Sequence, residues 1–347
     1  MTHTSSVNYL NILFMISATI LAVNLPFETF LFSYAVLGPL HYLTEINWLQ
    51  KRAFYVPPLK PFFYYLMIIA ALIAVSFSTF LVIFLYTPFL KFLGAYDFLK
   101  LVLQFCGESN NFYLYILLGL ASVLVLAQKG LARIILTAFL IVFGTLLYKY
   151  FSQPFIILFS LFLPTIIHVW LFTGLFVVAG AIKSKSSSAW LSIIVYILCS
   201  VYFFIMDFDT YAYKPSGYVK DTFIQSNFNQ LNIWLNHYLF GGDISKPMLL
   251  NSKMGLKIQA FIAFAYTYHY LNWFSKTTII KWHDTKVTNW VIIAIIWVGS
   301  VALYYYNYKI GLASLFFLSI LHVIAEFPLN WVVTKEIFQS MIAKFHK

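Results

Sequence analysis

Two short stripes carry the chemistry of this sequence. His41 and Glu45 stand in H-Y-L-T-E, and His322 and Glu326 stand in H-V-I-A-E. Each pair is four residues apart and therefore on one face of a helix. Both stripes lie inside long apolar runs, as do two further histidines, His168 and His269. Neutral imidazoles are metal ligands, and a carboxylate one turn away either joins them or fixes the tautomer of the ring. We therefore expect His41, His168, His269 and His322 as metal ligands, with Glu45 and Glu326 as catalytic, ligating or orienting carboxylates. Asn330 extends the second stripe by another turn, while Asn272 and Trp273 follow His269 at i+3 and i+4, with Tyr266 and Tyr268 nearby.

The elements that must position these groups are membrane helices. Of 347 residues, 62% are hydrophobic and 10% charged, and the mean hydropathy is +0.83. Such a composition excludes a soluble chain, and 37 Phe with 25 Tyr excludes disorder. A helix needs about 20 apolar residues to cross the hydrocarbon core. Ten stretches qualify: 7–23, 26–49, 62–87, 112–128, 134–149, 154–181, 190–206, 257–275, 288–305 and 310–330. The first has no basic leader and no small-residue cleavage site, so it is read as a span and not as a signal peptide. Residues 89–106 read as a stretch in the membrane interface.

Charge fixes the expected orientation, because cytoplasmic loops are enriched in Lys and Arg. With the N-terminus inside, the cytoplasmic segments hold Lys51, Arg52, Lys60, Lys129, Arg133, Lys183, Lys185, Lys276, Lys281, Lys286, Lys335, Lys344 and Lys347, against Asp284 and Glu336. The opposite side holds Glu28, Asp97, Glu108, Asp207, Asp209, Asp221 and Asp243. Ten spans with both termini cytoplasmic follow, in one transmembrane domain over 1–347, as expected of a multi-pass protein of the cytoplasmic (inner) membrane. Of eleven acids, Glu28 stands at the outer end of 26–49, and only Glu45 and Glu326 are left deep inside spans. A carboxylate there costs several kcal/mol unless it is paired, protonated or bound.

The four buried histidines lie in the second, sixth, eighth and tenth spans, all running from outside to inside. Counting at about 1.5 Å per residue to the next cytoplasmic cation gives heights of roughly 10 to 22 Å, so one bundle could gather all four. The longest external loop, 207–256, is polar, yet Phe223, Phe228, Leu231, Trp234, Leu235 and Tyr238 recur at helical spacing, which predicts an amphipathic helix at the interface or over the bundle mouth.

Several classes drop out. The 22 Lys and Arg are scattered singly with no nucleic-acid motif, so net charge +11 reads as topology and no nucleic-acid partner is expected. Cys106 and Cys199 form no C-x-x-C. The sequence contains no G-x-x-x-x-G-K-[ST], H-E-x-x-H, H-x-x-x-H or G-x-S-x-G, and Ser33, Thr44, Thr165 and Ser319 have no nucleophile motif. Histidine with carboxylate support and no thiolate suits non-haem iron, with zinc as the alternative. Iron with open positions would oxygenate a hydrophobic lipid or isoprenoid entering from the bilayer, and zinc-bound water would hydrolyse an ester or amide. The same residues also read as haem held by paired His, as a proton-coupled transporter or as the polar core of a scaffold subunit.

The stretch Gly38-Pro39-Leu40-His41-Tyr42-Leu43-Thr44-Glu45 resembles the G-x-x-H-G-A-x-D signature of the Brp/Blh family. These polytopic membrane enzymes resemble iron oxygenases and cleave β-carotene to retinal. His269, in Tyr268-His269-Tyr270-Leu271-Asn272-Trp273, stands where that family has a later His pair, and His322 resembles its last-helix His. Here Tyr42-Leu43 replaces Gly-Ala, Glu45 replaces Asp, Trp273 stands where a second His would, and the early H-F-G-E type motif is missing. His168 would have to substitute from another helix. The resemblance implies iron and isoprenoid chemistry.

Overall fold

The computed structural model describes residues 3–52, 91–92, 94, 97, 111–112, 114–120, 122–123, 127, 130–208, 213–242, 245–277 and 282–345. Among these residues every regular element is helical. Among the described residues six helices are long and apolar enough to cross a membrane: Ser5–Asn24, Gly130–Tyr150, Ser152–Ser184, Ser187–Ile205, Val287–Tyr306 and Tyr308–Ala343. The expected span 62–87 lies outside the described residues, as do Cys106 and most of 89–106 and of the region before 130.

In chain order the elements are α1 (His3–Asn24), α2 (Pro26–Phe32), a π-helical turn (Ser33–Leu37), α3 (Gly38–Arg52), α4 (Gly130–Tyr150), α5 (Ser152–Ile156), a longer π-helical segment (Ile157–Phe172), α6 (Thr173–Ser184), α7 (Ser187–Ile205), α8 (Gly217–Gln225), α9 (Asn229–Phe240), α10 (Lys246–Asn251), α11 (Lys253–Ser275), a 3-10 turn (Trp282–Asp284), α12 (Val287–Tyr306) and α13 (Tyr308–Phe345). Serines begin three of them. The hydroxyls of Ser186, Ser216 and Ser252 accept from the amides of Ala189, Val219 and Gly255, satisfying donors that a helix start leaves over.

The chain divides into two compact units, residues 1–41, 165–309 and 333–347 in the first and 42–164 and 310–332 in the second. Helix α11 is the mast of the first unit. It is buried on all sides from Ile258 to Tyr270, the pattern of a helix enclosed by others, and α1, α2 and α7 pack on it. Its second half, YTYHYLNWFS, is rich in polar atoms that find partners inside the unit. The Tyr268 hydroxyl and the Ser275 hydroxyl both donate to Asn11 Oδ1.

Segments of the first unit that the charge pattern assigns to one side of the membrane touch one another. Asn8 donates to Ser188 at 3.0 Å, and Lys183 pairs with Glu336 at 2.7 Å. On the other side, Lys253 pairs with Asp207 at 2.8 Å, and the Tyr213 hydroxyl donates to Glu28 at 2.6 Å. Burial and the neighbouring Glu28 carboxylate push the Tyr213 phenol above its ordinary range.

In the external loop the apolar positions are divided between two helices, α8 and α9. Asn227, held at φ 58°, takes the left-handed conformation that Asn tolerates and separates them. Phe223, Leu231 and Leu235 are buried, and Asn232 donates to Gln259 of α11 at 2.9 Å. The inner face of α9 therefore packs on protein, while Tyr238 stays exposed.

Both π-helical segments widen the hydrogen-bond ladder to i→i+5 and leave carbonyls for side chains to take. The Trp297 indole donates to the Val36 carbonyl at 2.9 Å, and the Tyr196 hydroxyl donates to the Trp170 carbonyl at 2.6 Å. Pro164 explains the longer one, since it supplies no amide and its ring crowds the carbonyl four residues back. Removing either donor takes away a part-buried hydrogen bond, at about 0.5–1.5 kcal/mol. Trp297→Phe and Tyr196→Phe should each lower unfolding stability by that amount in denaturant titration, and an unchanged midpoint in both would contradict this role.

Candidate metal centre

The first unit brings three of the expected histidines together. His41 on α3, His168 in the longer π-helical segment and His269 on α11 are all buried. His41 Nε2 and His269 Nε2 face each other at 3.1 Å, with ring centroids 4.6 Å apart. His168 meets His269 edge to face, centroids 4.9 Å apart. Tyr270 and Trp273 of α11 also pack beside His41, at centroid distances of 5.1 and 5.7 Å.

Thr173, the first residue of α6, holds the far side of His269, with Thr173 Oγ1 2.7 Å from Nδ1. Thr173 is five residues after His168. In an α-helix residues at that spacing point apart, whereas an i→i+5 ladder stacks them, so both can reach one imidazole. α-Helical spacing does not single out Thr173, and its only signal in the sequence is Pro164 upstream.

Gly38 is the other residue that geometry adds. A Cβ there would stand 3.3 Å from the Tyr270 hydroxyl, closer than side chains normally sit. The bare backbone lets α11 approach α3 one turn before His41, which gives the first position of the G-x-x-H stretch a steric reason.

The second unit holds the remaining expected residues. His322, Glu326 and Asn330 are buried on α13, and Thr44 and Glu45 are buried on α3. His322 stacks on Tyr42 with centroids 5.6 Å apart and planes 29° from parallel. Tyr42 is the residue that follows His41 in α3.

The donor set fits a divalent metal. Two ligand nitrogens bound at 2.0–2.1 Å lie about 2.9–3.4 Å apart in octahedral or tetrahedral coordination, and the Nε2 pair at 3.1 Å falls inside that window. Protonation decides the rest. With the Thr173 hydroxyl donating, His269 carries its proton on Nε2 and donates to His41, closing a neutral hydrogen-bond chain. With His269 Nδ1–H donating to Thr173, the Nε2 lone pair is turned toward His41, as a metal ligand requires. The second arrangement predicts the Nδ1–H tautomer for His269. Nitrogen-15 spectra of His-labelled protein should show it in the parent and in Thr173→Ser, and a mixture or the Nε2–H form in Thr173→Val. An Nε2–H signal in the parent would refute the ligand arrangement.

No family model matches the chain, and neither a curated protein nor a solved structure matches it.

Proposed function

We propose that the protein is an intramembrane metal-dependent enzyme that uses iron to oxygenate or cleave a hydrophobic lipid or isoprenoid. The observation that carries this reading is the buried His41–His269 nitrogen pair at 3.1 Å, backed by Thr173 on the far nitrogen of His269. His322 and His168 are the further ligands. His322 is included because it stacks on Tyr42, next in the chain to His41, and His168 because its ring abuts His269. The all-His and carboxylate donor set suits iron and zinc alike, and iron is preferred on the resemblance of Gly38–Glu45 to the Brp/Blh signature.

Bound iron with an open position would supply dioxygen activation. The chain's own residues do the rest. Thr173 keeps the His269 lone pair on Nε2, Tyr270 and Trp273 wall His41 with aromatic surface, and Glu45 and Glu326, one helical turn beyond His41 and His322, take up or release protons. The lipid bilayer is the source of the apolar substrate. The enzyme spans it about ten times with both termini cytoplasmic, a topology supported by the same-side contacts Asn8–Ser188 and Tyr213–Glu28.

A proton-coupled transporter is the alternative with an observation behind it, since buried carboxylates and Pro-broken helices also serve transport. Metal separates the two. Protein purified without added chelator should contain stoichiometric iron, and chelation should lower its melting temperature, because a ligand that binds only the folded state stabilises it. His41→Ala and His269→Ala should lose at least tenfold in metal affinity and melt at the same temperature with or without chelator. Metal-free protein as purified, insensitive to added iron and to chelator, would refute the enzyme reading.

A further inference from the structure

The second unit contains a cavity of about 330 Å³ whose walls include Tyr115, Ser122, Leu140, Phe159, Phe327 and Trp331. It plays no part in the metal reading. Among the described wall residues each polar side chain is turned onto a protein partner. The Trp331 indole donates to Ser122 Oγ at 2.6 Å, the Ser122 hydroxyl donates to the Leu118 carbonyl at 2.9 Å, and the Tyr115 hydroxyl donates to the Leu140 carbonyl at 3.1 Å. What remains for an occupant is hydrocarbon surface. Water needs two to four polar partners and does not settle in such a space. A helix, about 10 Å across with its side chains, is too wide for it, whereas one extended alkyl chain is not.

The cavity reaches the surface of the unit. Phe139 of α4 lines it and is 60% exposed, alongside the exposed Ile134, Ile135 and Phe143 of the same helix. A cation marks one end. Arg133 stands three residues before Leu136, another wall residue, which places it about 4.5 Å along the axis and on the same helical face. Its Nε donates to the Ala127 carbonyl at 3.0 Å, which orients the guanidinium and leaves the two terminal nitrogens outside that bond. Arg133 is one of only two arginines in the chain, with Arg52, and guanidinium is the side chain suited to bidentate phosphate binding.

We infer that this cavity and Arg133 form a binding site for one anionic phospholipid, with an acyl chain in the cavity and the phosphate on the guanidinium. Basic groups at the cytoplasmic edge of helices bind anionic headgroups in this way, and the charge pattern assigns Arg133 to that edge. The site stands independently of the metal reading.

The test uses the full chain in phosphatidylcholine nanodiscs carrying trace phosphatidylglycerol with a diazirine in one acyl chain, followed by peptide mapping after irradiation. Labelling should concentrate on peptides containing Leu136–Leu140 and Phe159–Leu163, and unlabelled phosphatidylglycerol should compete at least tenfold better than phosphatidylcholine. Arg133→Gln should abolish that preference while chain labelling persists. Leu163→Trp, and independently Leu136→Trp at the lipid-facing rim, should fill the cavity and cut labelling at least fivefold, with melting curves confirming that each variant is folded. The site is overturned by labelling no denser there than at exposed Val291 and Ile295 of α12, by equal competition from the two lipids, or by a free fatty acid competing as well as phosphatidylglycerol. Undiminished labelling in the folded filling variants would also overturn it.

Discussion

Hydrocarbon offers no hydrogen bonds, so each polar group carried into the bundle must find its partner on a neighbouring helix. That constraint organises the first unit around α11. Its Thr267 hydroxyl meets Ser33 at 2.7 Å, its Gln259 amide donates to the Pro26 carbonyl, and its Tyr268 and Ser275 share Asn11. These bonds tie α11 to α1, to α2 and to the shorter π-helical turn, and together they fix its rotation. Once that rotation is set, His269 faces His41 and Thr173, and the remaining aromatic residues pack around them.

The same constraint explains how the unit tolerates two π-helical segments. A wider ladder exposes carbonyls that an α-helix would have satisfied, and in lipid this would cost several kcal/mol for each group. Trp297 and Tyr196 remove that cost with donors from adjacent helices. The irregular backbone around the site therefore depends on Trp297 and Tyr196 as well as on the residues of the site. In return, the longer segment sets His168 and Thr173 in register with one imidazole.

The sequence made the histidines legible because they are rare polar groups in apolar runs, where cost singles them out. Helix identity was legible for the same reason, since apolar length and flanking charge are strong signals in a membrane chain. What stayed hidden was whatever depends on backbone irregularity. Thr173 is invisible to a spacing rule of three or four, and Gly38 has no steric meaning until Tyr270 lies against it. Loop 207–256 shows the limit from another side. Its apolar periodicity was real, but one left-handed Asn227 divides it into two helices, and periodicity does not register a single φ.

Departures from local rules are informative when they coincide. Isolated, a buried imidazole, a helix-internal proline or a glycine at a helix contact is an ordinary feature. Here the π-helical register that sets Thr173, the close approach at Gly38 and two facing imidazoles converge on α11 around His269. A chain selected only to fold would relieve each of these with a straight helix and an apolar side chain, gaining stability at every step. Natural proteins keep such conflicts mainly where a site requires them. The 3.1 Å approach of His41 and His269, together with the irregular backbone that the unit maintains around it, therefore marks these residues as a candidate functional centre.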